Sequence, residues 1–288
     1  MVDETQEMQK IETGPCIPTA PLLTPRRLTT GLLAVLMAFY ALLMASQLAH
    51  RYSLEHNFHG DIDSPVLAIE LAPDAKALKA VLGTDSPASV DTATKPGIAV
   101  AGLRANTYED FVFILLYSSF LWQFAVLFAI DADETPLFHR WTIAGLAVLI
   151  AGLDYAENLG ILRALRATNL NDVPVQAIYW PSRFKWGFFG CALLLTGWIL
   201  ARSARPIYSR PTRRLLALAY GTAGVFMLIG LAVPHVIELA VQMFGLLVAI
   251  NIVGLLGPYV ENWLLRPSIQ VYVDDFCSGK TQNQANVT

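Results

Sequence analysis

The chain has 288 residues, 55% of them hydrophobic and 15% charged, with a formal net charge of −3. Soluble domains carry roughly 25% charged residues, so an ordinary water-soluble domain is excluded, and there is no bulk basic field of the kind nucleic acid requires. The three cysteines, Cys16, Cys191 and Cys277, stand alone, in no spacing that makes a zinc site, a haem attachment or a disulfide framework.

Residues 1–27 are polar and carry Pro15, Pro18, Pro21 and Pro25, which reads as a flexible cytoplasmic tail. Residues 28–48 form the first uncharged apolar run, preceded by Arg26 and Arg27. A helix needs about 20 apolar residues to cross a bilayer, whereas a signal-peptide core has roughly 7–15. An uncleaved anchor is therefore favoured over a cleaved leader. Residues 49–106 form a polar extracytoplasmic insert. Within it, Val66–Gly83 has apolar residues at helical spacing, which predicts either a helix on the membrane surface or one that covers the bundle.

Residues 107–266 read as a five-span bundle. The second span is predicted at Phe111–Ile130, introduced by Glu109 and Asp110, and the third at Trp141–Leu162. A loop over 163–185 leads to the fourth span, Trp186–Ala201, with Lys185 at its mouth. The fifth covers Leu215–Val233 and the sixth Val236–Leu256. Trp122, Trp141, Trp180, Trp186, Trp198 and Trp263 fall mostly near span ends and read as interfacial anchors. Residues 267–288 form a second cytoplasmic tail. The predicted fold is thus all-α, an integral membrane bundle of about six spans with an extramembrane insert between spans one and two.

The link between spans four and five carries Arg202, Arg205, Arg210, Arg213 and Arg214. The positive-inside rule puts it in the cytoplasm, and both termini with it, in a plasma or inner membrane. The outward loop with Arg163, Arg166, Arg183 and Lys185 fits this rule poorly.

With that orientation the ionisable residues meet at one depth. The stretch LDYAENL places Asp154, Glu157 and Asn158 toward the outer end of span three. Asp110 opens span two, and His235 and Glu238 open span six. Residues three and four apart share a helix face. Ala147, Ala151, Asp154 and Asn158 make one stripe, and Glu238, Gln242, Gly245 and Ala249 another, both expected to face inward. Ionisable residues inside spans are costly and point to function or to paired structure. The candidate ligand-binding residues are therefore Asp154, Glu157, Asn158, Glu238, His235 and Asp110.

Three classes of function fit this pattern. The first is binding or transport of a small polar or amphipathic molecule, a cation or a proton. The second is an intramembrane enzyme acting on a lipid or isoprenoid, with Asp154 and Glu157, or His235 and Glu238, as acid and base. Their i,i+3 spacing also suits metals in helical bundles, with His56 and His59 as further ligands, although a loop histidine pair is more often simply solvated. The third is a non-catalytic subunit of a membrane complex. No phosphate loop, dinucleotide fingerprint or nucleophile elbow is present, and the residues name no cofactor or metal. The expected partners are the lipid bilayer, a small-molecule or lipid ligand and a membrane-protein partner, with no nucleic acid.

Three short motifs, Ile69-Glu70-Leu71-Ala72, Tyr108-Glu109-Asp110-Phe111-Val112-Phe113 and Gly152-Leu153-Asp154-Tyr155-Ala156-Glu157-Asn158, resemble a family of small multi-pass bacterial membrane proteins with no assigned activity. The resemblance implies no mechanism. It implies that the insert and the third span belong to one unit.

Overall fold

A computed structural model describes residues 25–49, 62–130, 137–202, 209–257 and 260. The histidine pair His56 and His59, most of both tails and much of the arginine-rich link lie outside these residues. Within them the chain is helical, with no strand. The helices are α1 (Pro25–Ala49), α2 (Pro65–Glu70), α3 (Ala75–Leu82), α4 (Lys95–Ile130), α5 (Leu137–Ala164), α6 (Gln176–Arg202) and α7 (Arg210–Gly230), followed by α8 (His235–Gly257). Four stretches are long and apolar enough to cross a membrane: Trp141–Ala164, Gln176–Arg202, Arg210–Gly230 and His235–Gly257. The apolar stretch of α1, Arg27–Leu43, is shorter.

Sequence and structure differ in instructive ways. The helical pattern over Val66–Gly83 is broken in two at Pro73. Proline pushes its preceding residue out of the helical region, and Asp74 then caps α3, its Oδ1 accepting from the Ala77 N–H at 2.8 Å. Ser64 caps α2 in the same manner. The apolar residues Leu67, Ile69, Leu78 and Leu82 are buried, so the pair covers the bundle, and α2 packs on α5 and α6. This cap is tied down by polar contacts. Arg104 Nη2 donates to the Leu165 carbonyl at 2.8 Å, and the Leu170 N–H donates to the Asp85 carbonyl at 2.9 Å.

The helix of the second span begins at Lys95, well before Phe111. Its early residues Ala99, Val100 and Leu103 are buried, so cap and span share one continuous rod of 36 residues, roughly 54 Å at helical rise.

The fourth helix likewise starts at Gln176, ten residues before Trp186. Pro181 lies inside it. Proline leaves the carbonyl four residues back without an intrahelical donor, and that carbonyl, on Ala177, sits against Gly160 of α5, where a Cβ would lie 3.1 Å from it. Because the helix starts early, Lys185 is roughly 13 Å inside it and not at its mouth.

α6 and α7 approach through small residues. A Cβ on Gly197 would stand 2.7 Å from the Ala217 carbonyl oxygen, the close backbone contact typical of helices packed in lipid. Below the cap the core is aromatic, with Phe124 and Tyr220 stacked at 5.7 Å. Asn251 Nδ2 donates to Tyr220 Oη at 2.8 Å and to the Leu247 carbonyl at 2.7 Å, which joins α8 to α7 by a buried polar bond.

Candidate functional site

The site forms where the cap meets the bundle. Lys185 of α6 is buried and its Nζ donates to Asp154 Oδ1 and Glu157 Oε1 of α5, each at 2.9 Å. The same ammonium stands 3.2 Å from Glu70 Oε2, at the end of α2. One lysine therefore joins the cap to two successive helices of the bundle. Isolated buried charges of this kind are untenable, and each needs partners.

The surrounding groups complete the first set of bonds. Tyr117 Oη of α4 donates to Asp154 Oδ2 at 2.6 Å. Trp186 Nε1 donates to Glu70 Oε2 at 3.0 Å, and Lys185 lies 4.6 Å from the centre of the Trp186 ring, within cation–π range. Asn158 Nδ2 donates to Asp110 Oδ2 at 2.7 Å. Burial pushes the Glu70 carboxyl above its ordinary range, and Lys185 pulls it back in part.

Two acceptors lie outside ordinary hydrogen-bond geometry of any donor: Oδ1 of Asn106, a residue only 4% exposed, and Oε2 of the fully buried Glu157, whose carboxyl has Ser182 and Glu70 beside it. Such atoms carry a desolvation cost until a donor reaches them.

A cavity of about 370 Å³ opens beside this cluster. Ligand pockets span roughly 300–1,000 Å³. Four acids line it, Glu70, Asp110, Asp154 and Glu238, against a single base, Lys185, with Asn106 also in its wall. The rest of the lining is largely apolar and aromatic, including Phe113, Tyr117, Phe189 and Phe244.

Of the residues singled out from sequence, Asp154, Glu157, Asn158 and Asp110 come together here. Asp154 and Glu238 line the same cavity. Glu238 stands at its edge, where Oε2 accepts from the Asp63 N–H at 3.1 Å. His235 is exposed and is not among the lining residues, so it does not join the site. The first turn of α8 leads the chain in from outside the cavity, and the residue one turn later reaches it. Among the described residues no three metal-ligating side chains gather into a metal site.

The inward stripe expected on span six is also corrected. Gln242, Gly245 and Ala249 are exposed, while Ile237, Ala240, Phe244, Leu247 and Asn251 are buried. The helix is turned by about one residue from the expected phase. Trp186, expected to be an interfacial anchor, is instead part of the site. Trp122, Trp141 and Trp180 are exposed.

Sequence reasoning puts Lys185 and Trp186 at the level of the cluster but not among its site residues, and it leaves Glu70 and Tyr117 out altogether. The signal for Lys185 is a lone cation between Phe184 and an apolar run, close in spacing to an acid-rich helix that needs a counter-charge. That for Glu70 is an acid between Ile69 and Leu71 in an otherwise apolar stretch. With Lys185 inside α6, the loop expected to face outward is less basic than its sequence bounds implied. Arg166 donates to Tyr108 Oη, and Arg183 lies 4.8 Å over the Tyr179 ring.

Comparisons with protein-family models, with curated proteins and with solved structures return no match to this chain.

Proposed function

We propose that this chain is a six-pass membrane protein whose pocket binds a small cationic molecule or the cationic head of an amphipathic one. In this reading α1 and the apolar part of α4 add two passes to the four apolar stretches named above. The cap, with the pocket beneath it, lies on the extracytoplasmic side. The supporting observation is the imbalance at the site: four lining acids face one lysine, and Asn106 Oδ1, buried and in the same lining, has no donor. A primary ammonium carries three donors and a positive charge, which offsets both deficits at once. A neutral donor offsets only the missing hydrogen bond, and an anion adds to the charge imbalance.

The test is equilibrium binding of radiolabelled methylammonium to the protein in lipid nanodiscs. Hydrogen bonds to charged groups contribute about 1.5–3 kcal/mol, so Asp110→Asn, in the cavity wall, is expected to weaken saturable binding at least tenfold. Absence of saturable binding to the unaltered protein would overturn the reading.

A second reading has its own support. Lys185 bonds α2, α5 and α6 to one another, as a structural fastener would in a non-catalytic subunit. On that reading Glu157→Gln lowers the melting temperature and no cation binds. The exposed position of His235 gives the intramembrane-enzyme reading less support, since its acid–base pair with Glu238 is not assembled at the cavity.

A further inference from the structure

The pocket has a mouth, and the helices beside it say where it leads. Ala41 and Ala45 of α1 and Gln242 of α8 line the cavity and are also exposed. The wall is therefore open between α1 and α8. At their other ends the two helices are tightly packed: a Cβ on Gly31 would stand 2.5 Å from Leu256 Cδ2. α1 and α8 thus pack closely at one end, and toward the other both line the cavity with exposed residues.

Both helices expose apolar side chains along the same stretches. Phe39 is 63% exposed and Leu42 71% on α1, and Leu246 is 63% exposed on α8. Water does not favour such side chains, whereas lipid tails match them. The cavity holds only about a dozen waters' volume, enough for a head group and a short length of chain. A longer molecule must extend through the open wall, and the open wall is apolar.

Building on the cation-binding reading, we infer that the pocket is entered sideways from the bilayer by a single-chain alkylamine, its ammonium at Asp110, Asp154 and Asn106 and its chain leaving between α1 and α8. The acids of the cavity wall and the exposed apolar side chains of α1 and α8 match the two ends of such a molecule. Small side chains at Ala41 and Ala45 leave room for the chain to pass.

The experiment uses the full chain in nanodiscs and two probes, methylammonium and dodecylammonium. The variant Ala41→Trp with Ala45→Trp alters exposed positions of the mouth and leaves the acidic cluster intact. It is expected to weaken dodecylammonium at least tenfold and methylammonium less than threefold. Equal affinity of dodecylammonium for variant and unaltered protein would overturn lateral entry. In a second arm, the unaltered protein is labelled with dodecylammonium carrying a diazirine at its chain end. Saturable insertion into residues 36–45 of α1 and 239–246 of α8 is expected. Insertion confined to α2 and α3, or no saturable insertion, would overturn the route. If methylammonium also fails to bind the unaltered protein, the amine site itself falls; if it binds while the chain-end label misses both helices, only the lateral route falls.

Discussion

Replacing Lys185 with methionine removes the one cation that three buried carboxyls share. The side chain keeps its approximate volume, so the loss is electrostatic. Its ammonium is 2.9 Å from Asp154 and Glu157 and 3.2 Å from Glu70. Breaking a buried ion pair from one side costs about 3–5 kcal/mol. An independent route gives a similar figure: forcing a proton onto a glutamate of ordinary pKa at about pH 7.5 costs roughly 4 kcal/mol. The variant is therefore expected to lose about 4 kcal/mol at that pH.

The sign of the pH dependence follows from Glu70. Its carboxyl is already pushed above the ordinary range by burial, so between the unfolded and folded values the folded state holds the extra proton. Stability is then present at low pH and is lost as pH rises through that window. Without Lys185 the effect is larger, and the deficit should shrink by about 1.4 kcal/mol per pH unit for each proton taken up. Reversible unfolding in mixed micelles, followed by far-ultraviolet circular dichroism at about pH 7.5 and about pH 5.5, measures this directly. Combining Lys185→Met with Glu157→Gln should recover part of the loss. A deficit below about 1 kcal/mol, or one indifferent to pH, would show that the cluster is wet and that the burial argument is wrong.

Other substitutions probe separate parts of the account. Tyr117→Phe removes the 2.6 Å bond to Asp154 and should lower stability by about 1.5–3 kcal/mol in the same unfolding assay. Asp154→Asn keeps a hydrogen-bonding group but no charge. It should weaken methylammonium binding while retaining most of the Tyr117 contact, whereas Asp154→Ala should also lower the unfolding midpoint further. Gly97→Ala would place a Cβ 1.9 Å from the Asp91 carbonyl oxygen, an overpacking expected to cost about 1–3 kcal/mol. Gly145→Ala, with nothing within 4 Å, should be tolerated. His235→Ala should leave methylammonium affinity unchanged within about twofold, because the imidazole lies outside the pocket and only rim-type electrostatics reach it.

The helical character and the long apolar stretches were legible because about 20 consecutive apolar residues have few other uses. The meeting of Asp110, Asp154, Glu157 and Asn158 was legible from linear order along antiparallel helices. Lys185 was misplaced because Pro174 and Pro181 both mark helix boundaries by local rules, and tertiary packing against Gly160 carries the helix through the second of them. Glu70 reaches the site only because α2 folds back over α5 and α6, a non-local event that no local pattern encodes. The phase of α8 was misjudged for a different reason. Lipid is as apolar as a protein core, so Leu246 and Leu247 look alike in sequence although one is exposed and the other buried.

The most direct test is an experimental density map of the protein in nanodiscs with excess methylammonium. The account expects an ordered feature within hydrogen-bonding distance of an Asp110 carboxylate oxygen or Asn106 Oδ1, in the cavity that Lys185 also lines. A cavity that stays featureless under saturating amine, or acids turned away from it, would contradict the claim.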